Sequence, residues 1–132
     1  MVICAWIDGA AKGNPGPAGY GILTFNPATG EVNKFGGYIG EVTSNQAELN
    51  AVVELLKRFP DETHLDIYSD SEYVVHVLSG KWKIQANKEL IKKIWEESYG
   101  KDIDYHYIPR GENILADVIA NNAIALASSE IS

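Results

Sequence analysis

Four carboxylates, Asp8, Glu48, Asp70 and Asp117, stand where solubility alone does not call for a charge. Asp8 closes the apolar run "MVICAWI" and Asp70 closes "HLDIYS", so each is expected at the end of a buried strand, where open α/β sheets keep their ligand crevices. Glu48, at about 100° per residue, falls beside Val52 and Leu55 rather than with Gln46 and Asn50, which turns a charge toward the sheet. Asp117 sits one turn from Asn113 and from Asn121, in a polar stripe interrupted by Ile124 on an otherwise apolar last helix. Acids gathered in a desolvated crevice repel one another and are tolerated chiefly when a cation intervenes. An all-oxygen donor set without Cys or His pairs selects hard ions, Mg²⁺ or Mn²⁺. Two such ions about 4 Å apart would clamp the attacking and leaving oxygens of an in-line phosphoryl displacement, with no protein general base required.

Each acid taken singly also has a plain structural reading. Ser69 with Glu72 fits a capping box, Asn45 with Glu48 fits an N-cap and its reciprocal acid, and Asp8-Gly9 is a turn signal. Convergence of all four is what those readings leave unexplained.

The elements that must position these acids follow from periodicity. Residues 2–7 read as a buried strand, followed by a Gly/Pro loop, and "GYGILTF" and "EVNKFGGYIG" as two further strands around the turn "NPATG". Residues 45–59 place Leu49, Val52, Leu56 and Phe59 at helical spacing and stop at Pro60. A fourth strand is expected at "HLDIYSD", a helix at "SEYVVHVLSG", a helix over 87–99, a strand at "IDYHYI" and a last helix from Glu112 to Ala127. The order βββ-α-β-α-α-β-α implies a mainly parallel sheet covered by helices, with an antiparallel meander at its start.

Composition bounds the rest. A chain of 132 residues, 45% hydrophobic, can build one core. Its single cysteine, Cys4, excludes an intramolecular disulfide and fits a reducing compartment. The sequence holds neither a signal peptide nor an apolar stretch near the roughly 18 residues of a membrane span, so a cytoplasmic, non-membrane protein is expected. A net charge of −7 speaks against a broad nucleic-acid footprint, yet Lys81, Lys83, Lys88, Lys92 and Lys93 crowd one stretch around Trp82. Divalent ions on the acids would also make the crevice attractive to phosphate.

At this point the sequence resembles the type 1 ribonuclease H family. The resemblance rests on "IDGAAKGNPGPAGYG", "TSNQAELNAV", "YSDSEYVV" and "ENILADVIAN", which run in family order over nearly the whole chain. It implies an α/β, ribonuclease H-like fold: a five-stranded mixed sheet, three antiparallel strands and then parallel members, flanked by helices. A single catalytic domain over residues 1–127 and a C-terminal tail at 128–132 are expected, without an appended hybrid-binding or phosphatase domain.

The implied activity is hydrolysis of the RNA strand of an RNA/DNA hybrid, leaving 3′-hydroxyl and 5′-phosphate ends, by a monomer needing two Mg²⁺ ions and no obligate protein partner, with Mn²⁺ as a substitute. The alternatives are a related nuclease acting on double-stranded RNA or another nucleic acid, and a non-catalytic hybrid-binding module. The family's metal-binding acids match Asp8, Glu48, Asp70 and Asp117. Its minor-groove contacts match Asn14, Asn45 and Gln46, with Gly9 and the glycines after it allowing the loop to approach a strand. A phosphate pocket matches Thr43 and Asn87. Ser44 stands where an Asn often reads RNA, and Glu41 where some members have a pocket Arg, changes that imply weaker affinity. The His-containing loop of many members is reduced to "IPRGEN", where Arg110 is the candidate for phosphate contact or product release, and the basic protrusion is cut down to "GKWKIQANK". His106, in the preceding strand, reads as structural.

Overall fold

The computed structural model of the chain describes residues 1–131, with side chains to Ala127. β1 (Val2–Ala11) pairs antiparallel with β2 (Gly16–Phe25), and β2 pairs antiparallel with β3 (Val32–Val42). On the other side of β1, β4 (His64–Ser69) runs parallel to it and β5 (Asp102–Tyr107) runs parallel to β4. The strand order β3-β2-β1-β4-β5 is the five-stranded mixed sheet expected, and it makes the strands that carry Asp8 and Asp70 neighbours.

Four helices cover this sheet: α1 (Ser44–Leu56), α2 (Glu72–Leu78), α3 (Lys88–Ser98) and α4 (Ile114–Ile131). One face of β1 and β4, carrying Ile3, Ala5, Ile7, Leu65 and Ile67, buries against Leu49, Val52, Leu55 and Leu56 of α1. Ile91 and Ile94 of α3 extend that core. On the opposite face α4 lies across β2, β3 and β1 through Ala116, Ala120 and Ile124.

Glycine sets how near the helices come. A Cβ at Gly21 would run into the Ala116 carbonyl oxygen and come within 2.7 Å of the Ala120 nitrogen, so α4 rests directly on the β2 backbone. A Cβ at Gly9 would overlap the backbone of Ala47 and Glu48 in α1. Much of the glycine in "IDGAAKGNPGPAGYG" therefore serves helix–sheet contact, a role the sequence did not suggest. Within that stretch only Gly13 has positive φ, at 110°.

Local boundaries differ in instructive ways. β1 continues past Asp8-Gly9 to Ala11, and the hairpin closes through the Lys12 N–H donating to the Pro17 carbonyl at 2.8 Å. The N-cap of α1 is Thr43, whose hydroxyl accepts from the Gln46 N–H while the Gln46 side chain accepts from the Thr43 N–H. That pairing leaves Asn45 inside the first turn, and Glu48 is not spent on a cap. α2 is capped by Ser71, which accepts from the Val74 N–H at 3.2 Å, while the Ser69 hydroxyl accepts from the Ser71 N–H. A 3₁₀ turn, Arg110–Glu112, precedes α4, and that helix runs on to Ile131 through most of the stretch read as a tail. Ser132 lies outside the described residues.

Candidate active site

β1 and β4 deliver Asp8 and Asp70 to the same end of the sheet, and α1 delivers Glu48 over the gap at Gly9. With no side chain there, the first turn of α1 sits against the strand, and the Glu48 carboxylate reaches Asp8. One oxygen from each of Asp8, Glu48 and Asp70 lies within 4.8 Å of the others. Asp117, on the first turn of α4, lines the same cleft of about 310 Å³ without joining that tight trio. Gly9, Ala10, Ala11, Ser44, Arg110 and Asn121 complete the walls.

The electrostatics are those of acids held together out of water. Burial, together with the Asp117 and Asp70 carboxylates, pushes Asp8 up to about 7, and a hydrogen bond with Glu48 opposes the rise. Burial and then the facing Asp8 carboxylate raise Glu48 well above the ordinary range, with the Gly9 backbone amide pulling the other way. Asp70 is raised by burial while the Arg110 guanidinium, whose Nε is 3.9 Å from Asp70 Oδ2, opposes it. Glu48 Oε2 is buried without a hydrogen-bond partner. A buried, unpartnered carboxylate oxygen on one of three clustered acids suits the donor set of a hard divalent cation, so these residues fit one.

Beside the acids, the start of α1 forms a polar rim. Asn14, next to a cis Asn14–Pro15 peptide, accepts from the Ser44 N–H at 2.9 Å and so ties the Gly/Pro loop to the helix. Asn45 is exposed on the same turn. Gln46 links the remaining two candidates: its Oε1 takes the Thr43 N–H at 3.0 Å and its Nε2 lies 3.4 Å from Asn87 Oδ1. Asn87 holds a left-handed conformation, φ 58°, and donates to the Tyr73 hydroxyl at 3.0 Å. Tyr73 in turn borders a groove of about 550 Å³ with Lys81, Trp82, Lys83 and Gln85. Trp82 is half exposed, and its ring lies tilted against His76 at 4.7 Å.

Three contacts escaped the sequence reading. Lys12 donates to Asn121 Oδ1 at 2.9 Å, and Asn121 donates to Asp117 Oδ1 at 3.1 Å, so the loop and α4 hold Asp117 jointly. The second link was within reach, because Asn121 is one helical turn beyond Asp117. The first spans nearly the whole chain and leaves no periodic trace. Asn113 donates to the Ile7 carbonyl at 2.7 Å, which pins the start of α4 to β1. His106 is bonded to Asp66 Oδ1 at 2.9 Å and stacked on Tyr68, away from the four acids.

A family model described as RNase H matches residues 2–125. The chain is 32% identical over 115 residues to a protein of Streptomyces coelicolor named ribonuclease HI, a match covering 77% of this chain and half of that one. A protein of Polaromonas naphthalenivorans named ribonuclease H is 33% identical over 145 residues, covering 95% of this chain and 88% of its own. Among solved structures, LC11-RNase H1 in complex with an RNA/DNA hybrid superposes with a TM-score of 0.86 at 31% identity, covering 95% of this chain and 98% of that one.

Proposed function

The chain belongs to the RNase H family, and we propose that it is an endonuclease hydrolysing the RNA strand of RNA/DNA hybrids to 3′-hydroxyl and 5′-phosphate ends. The observation that carries this reading is the trio Asp8, Glu48 and Asp70, with its orphaned Glu48 oxygen, lining one cleft with Asp117. A relative with nearly full mutual coverage has been solved with such a hybrid bound, which supports the substrate class.

In this reading Asp8, Glu48, Asp70 and Asp117 hold two Mg²⁺ ions, which Mn²⁺ can replace. When bound, the ions supply Lewis-acid polarisation of the scissile phosphate. The chain's own groups do the rest. Asn14, Ser44 and Asn45 line the entry at the start of α1 and meet the minor groove, where the 2′-hydroxyl distinguishes RNA from DNA. Thr43 and Asn87, spaced by Gln46, take a phosphate of the DNA strand, and Lys81, Trp82 and Lys83 continue that track. Arg110 is exposed except toward Asp70, and it contacts the phosphate that departs with the product. The reading takes the protein as a monomer of a reducing, cytoplasmic compartment, in keeping with its one free thiol.

The acid variants test it. Asp8→Asn and Asp70→Asn are each expected to abolish Mg²⁺-dependent hybrid cleavage while leaving the melting temperature equal or higher, because a desolvated charge and its repulsion are removed. Full activity in either variant defeats the assignment.

A further inference from the structure

The face of β4 and β5 that turns away from α1 is not covered by α4, which packs on β2, β3 and β1. Strand register places three rows of side chains across it: Val2, His64 and Asp102; Cys4, Asp66 and Asp104; Trp6, Tyr68 and His106. The last row is an aromatic stack, with ring centroids 5.1 Å and 4.8 Å apart. The first two rows gather three carboxylates around one imidazole, and no Lys or Arg pairs with any of the three among the described residues.

The arrangement is ordered. His64 Nδ1 lies 2.9 Å from Asp102 Oδ2, which fixes the ring and turns Nε2 inward. Nε2 then faces Asp66 Oδ2 at 3.4 Å and Asp104 Oδ2 at 3.6 Å. Both distances are long for a hydrogen bond. They match two edges of a tetrahedral metal site, since bonds of about 2.0–2.2 Å place neighbouring ligand atoms about 3.3–3.6 Å apart. Asp66 is oriented from behind as well, because its Oδ1 is taken by His106 Nε2 at 2.9 Å and only Oδ2 remains for the centre. A carboxylate behind the histidine and a histidine behind the carboxylate are the outer partners that metal ligands need.

We propose that His64, Asp66 and Asp104 form a second divalent-cation site, of the zinc class, on the open face of the sheet. One imidazole nitrogen and two carboxylate oxygens, with a coordination position left to solvent, suit zinc-like ions better than magnesium, which prefers all-oxygen ligands. The site is separate from the four acids. His64 and Asp66 precede Asp70 along β4 by six and four residues, which at about 3.3 Å per residue sets the centres roughly 13–20 Å apart. A bound ion would staple the edge strand β5 to β4 and offset the carboxylates that no Lys or Arg pairs. The proposal stands independently of hybrid cleavage.

Calorimetric titration with Zn²⁺ in excess Mg²⁺, on the whole protein, tests it. The wild type is expected to take up zinc at this site, His64→Gln to lose that uptake, and Asp102→Asn to weaken it by about 10- to 100-fold. Cleavage of hybrid in Mg²⁺ should be unchanged in both variants. Asp104→Asn, at an exposed edge-strand position, is a second variant expected to lose the uptake if His64→Gln folds poorly. Three results overturn the proposal: no zinc uptake by the wild type, equal uptake in wild type and His64→Gln, or uptake that persists in His64→Gln and disappears in Asp70→Asn.

Discussion

Asp8 is only 5% exposed and shares its cleft with three other acids, so its proton is held more tightly in the folded chain than in the unfolded one. An acid raised in this way favours the folded state at low pH. Its stabilising share is fully present below the ordinary carboxylate pKa of about 4 and is lost as the pH rises through the folded value, about 7. Glu48 and Asp70, also raised, act with the same sign. With metal chelated, stability is therefore expected to fall between about pH 5 and about pH 8, by on the order of a few kcal/mol. Calorimetric melting of wild type and Asp8→Asn checks this: the variant should give the flatter profile, and identical profiles would contradict it. Saturating Mg²⁺ should restore stability at the alkaline end, since an ion that binds only the folded state stabilises it. A second prediction concerns Arg110. Arg110→Ala is expected to lower turnover about tenfold, equivalent to about 1.4 kcal/mol of barrier, with little change in melting temperature because the side chain is exposed. Unchanged turnover and unchanged product release would remove Arg110 from the site.

The helices are as important to the site as the strands, and their closeness is set by glycines. Gly21→Ala must push α4 off β2 and with it Asp117 and Asn113, so a loss of about 2–4 kcal/mol is expected in denaturant melts. Gly111→Ala, where nothing lies within 4 Å of the added Cβ, is the control and should be neutral within about 0.5 kcal/mol. Equal effects of the two would contradict the packing account. Element order and the inward placement of Glu48 were legible in the sequence because both rest on local periodicity, and apolar spacing around Val52 and Leu55 leaves one face for the sheet. Caps were read less well. Thr43 and Ser71 displaced Asn45 and Ser69 because several neighbouring polar residues can each cap a helix, and tertiary contacts choose among them. Asn14 is such a contact: it satisfies the Ser44 N–H from the far side of a loop, a link that no local pattern encodes. The same limit hid Lys12 from the reading of Asp117.

Across the whole molecule, the proposed function asks a chain of net charge −7 to hold a polyanion, and two regions would share that task. Four acids gather at one cleft, where bound divalent ions would reverse their sign, while Lys81 and Lys83 flank Trp82 on a groove reached through Asn87 and Tyr73. The sequence placed both features but not the path between them, because Gln46 was read as a minor-groove contact rather than as a link to Asn87, and Tyr73 looked like an ordinary helix residue. On the proposed reading, binding along such a path would depend on the shape of a hybrid, with 2′-hydroxyls on one strand at the α1 rim and a DNA phosphate near Thr43 and Asn87. The direct measurement is cleavage, in Mg²⁺ and with Asp8→Asn as control, of end-labelled RNA/DNA hybrid, double-stranded RNA, single-stranded RNA and double-stranded DNA of one sequence. Internal cuts in the RNA strand of the hybrid, bearing 3′-hydroxyl ends and absent with the variant, are the predicted result. An intact hybrid RNA strand, or cutting that survives Asp8→Asn, would contradict the account.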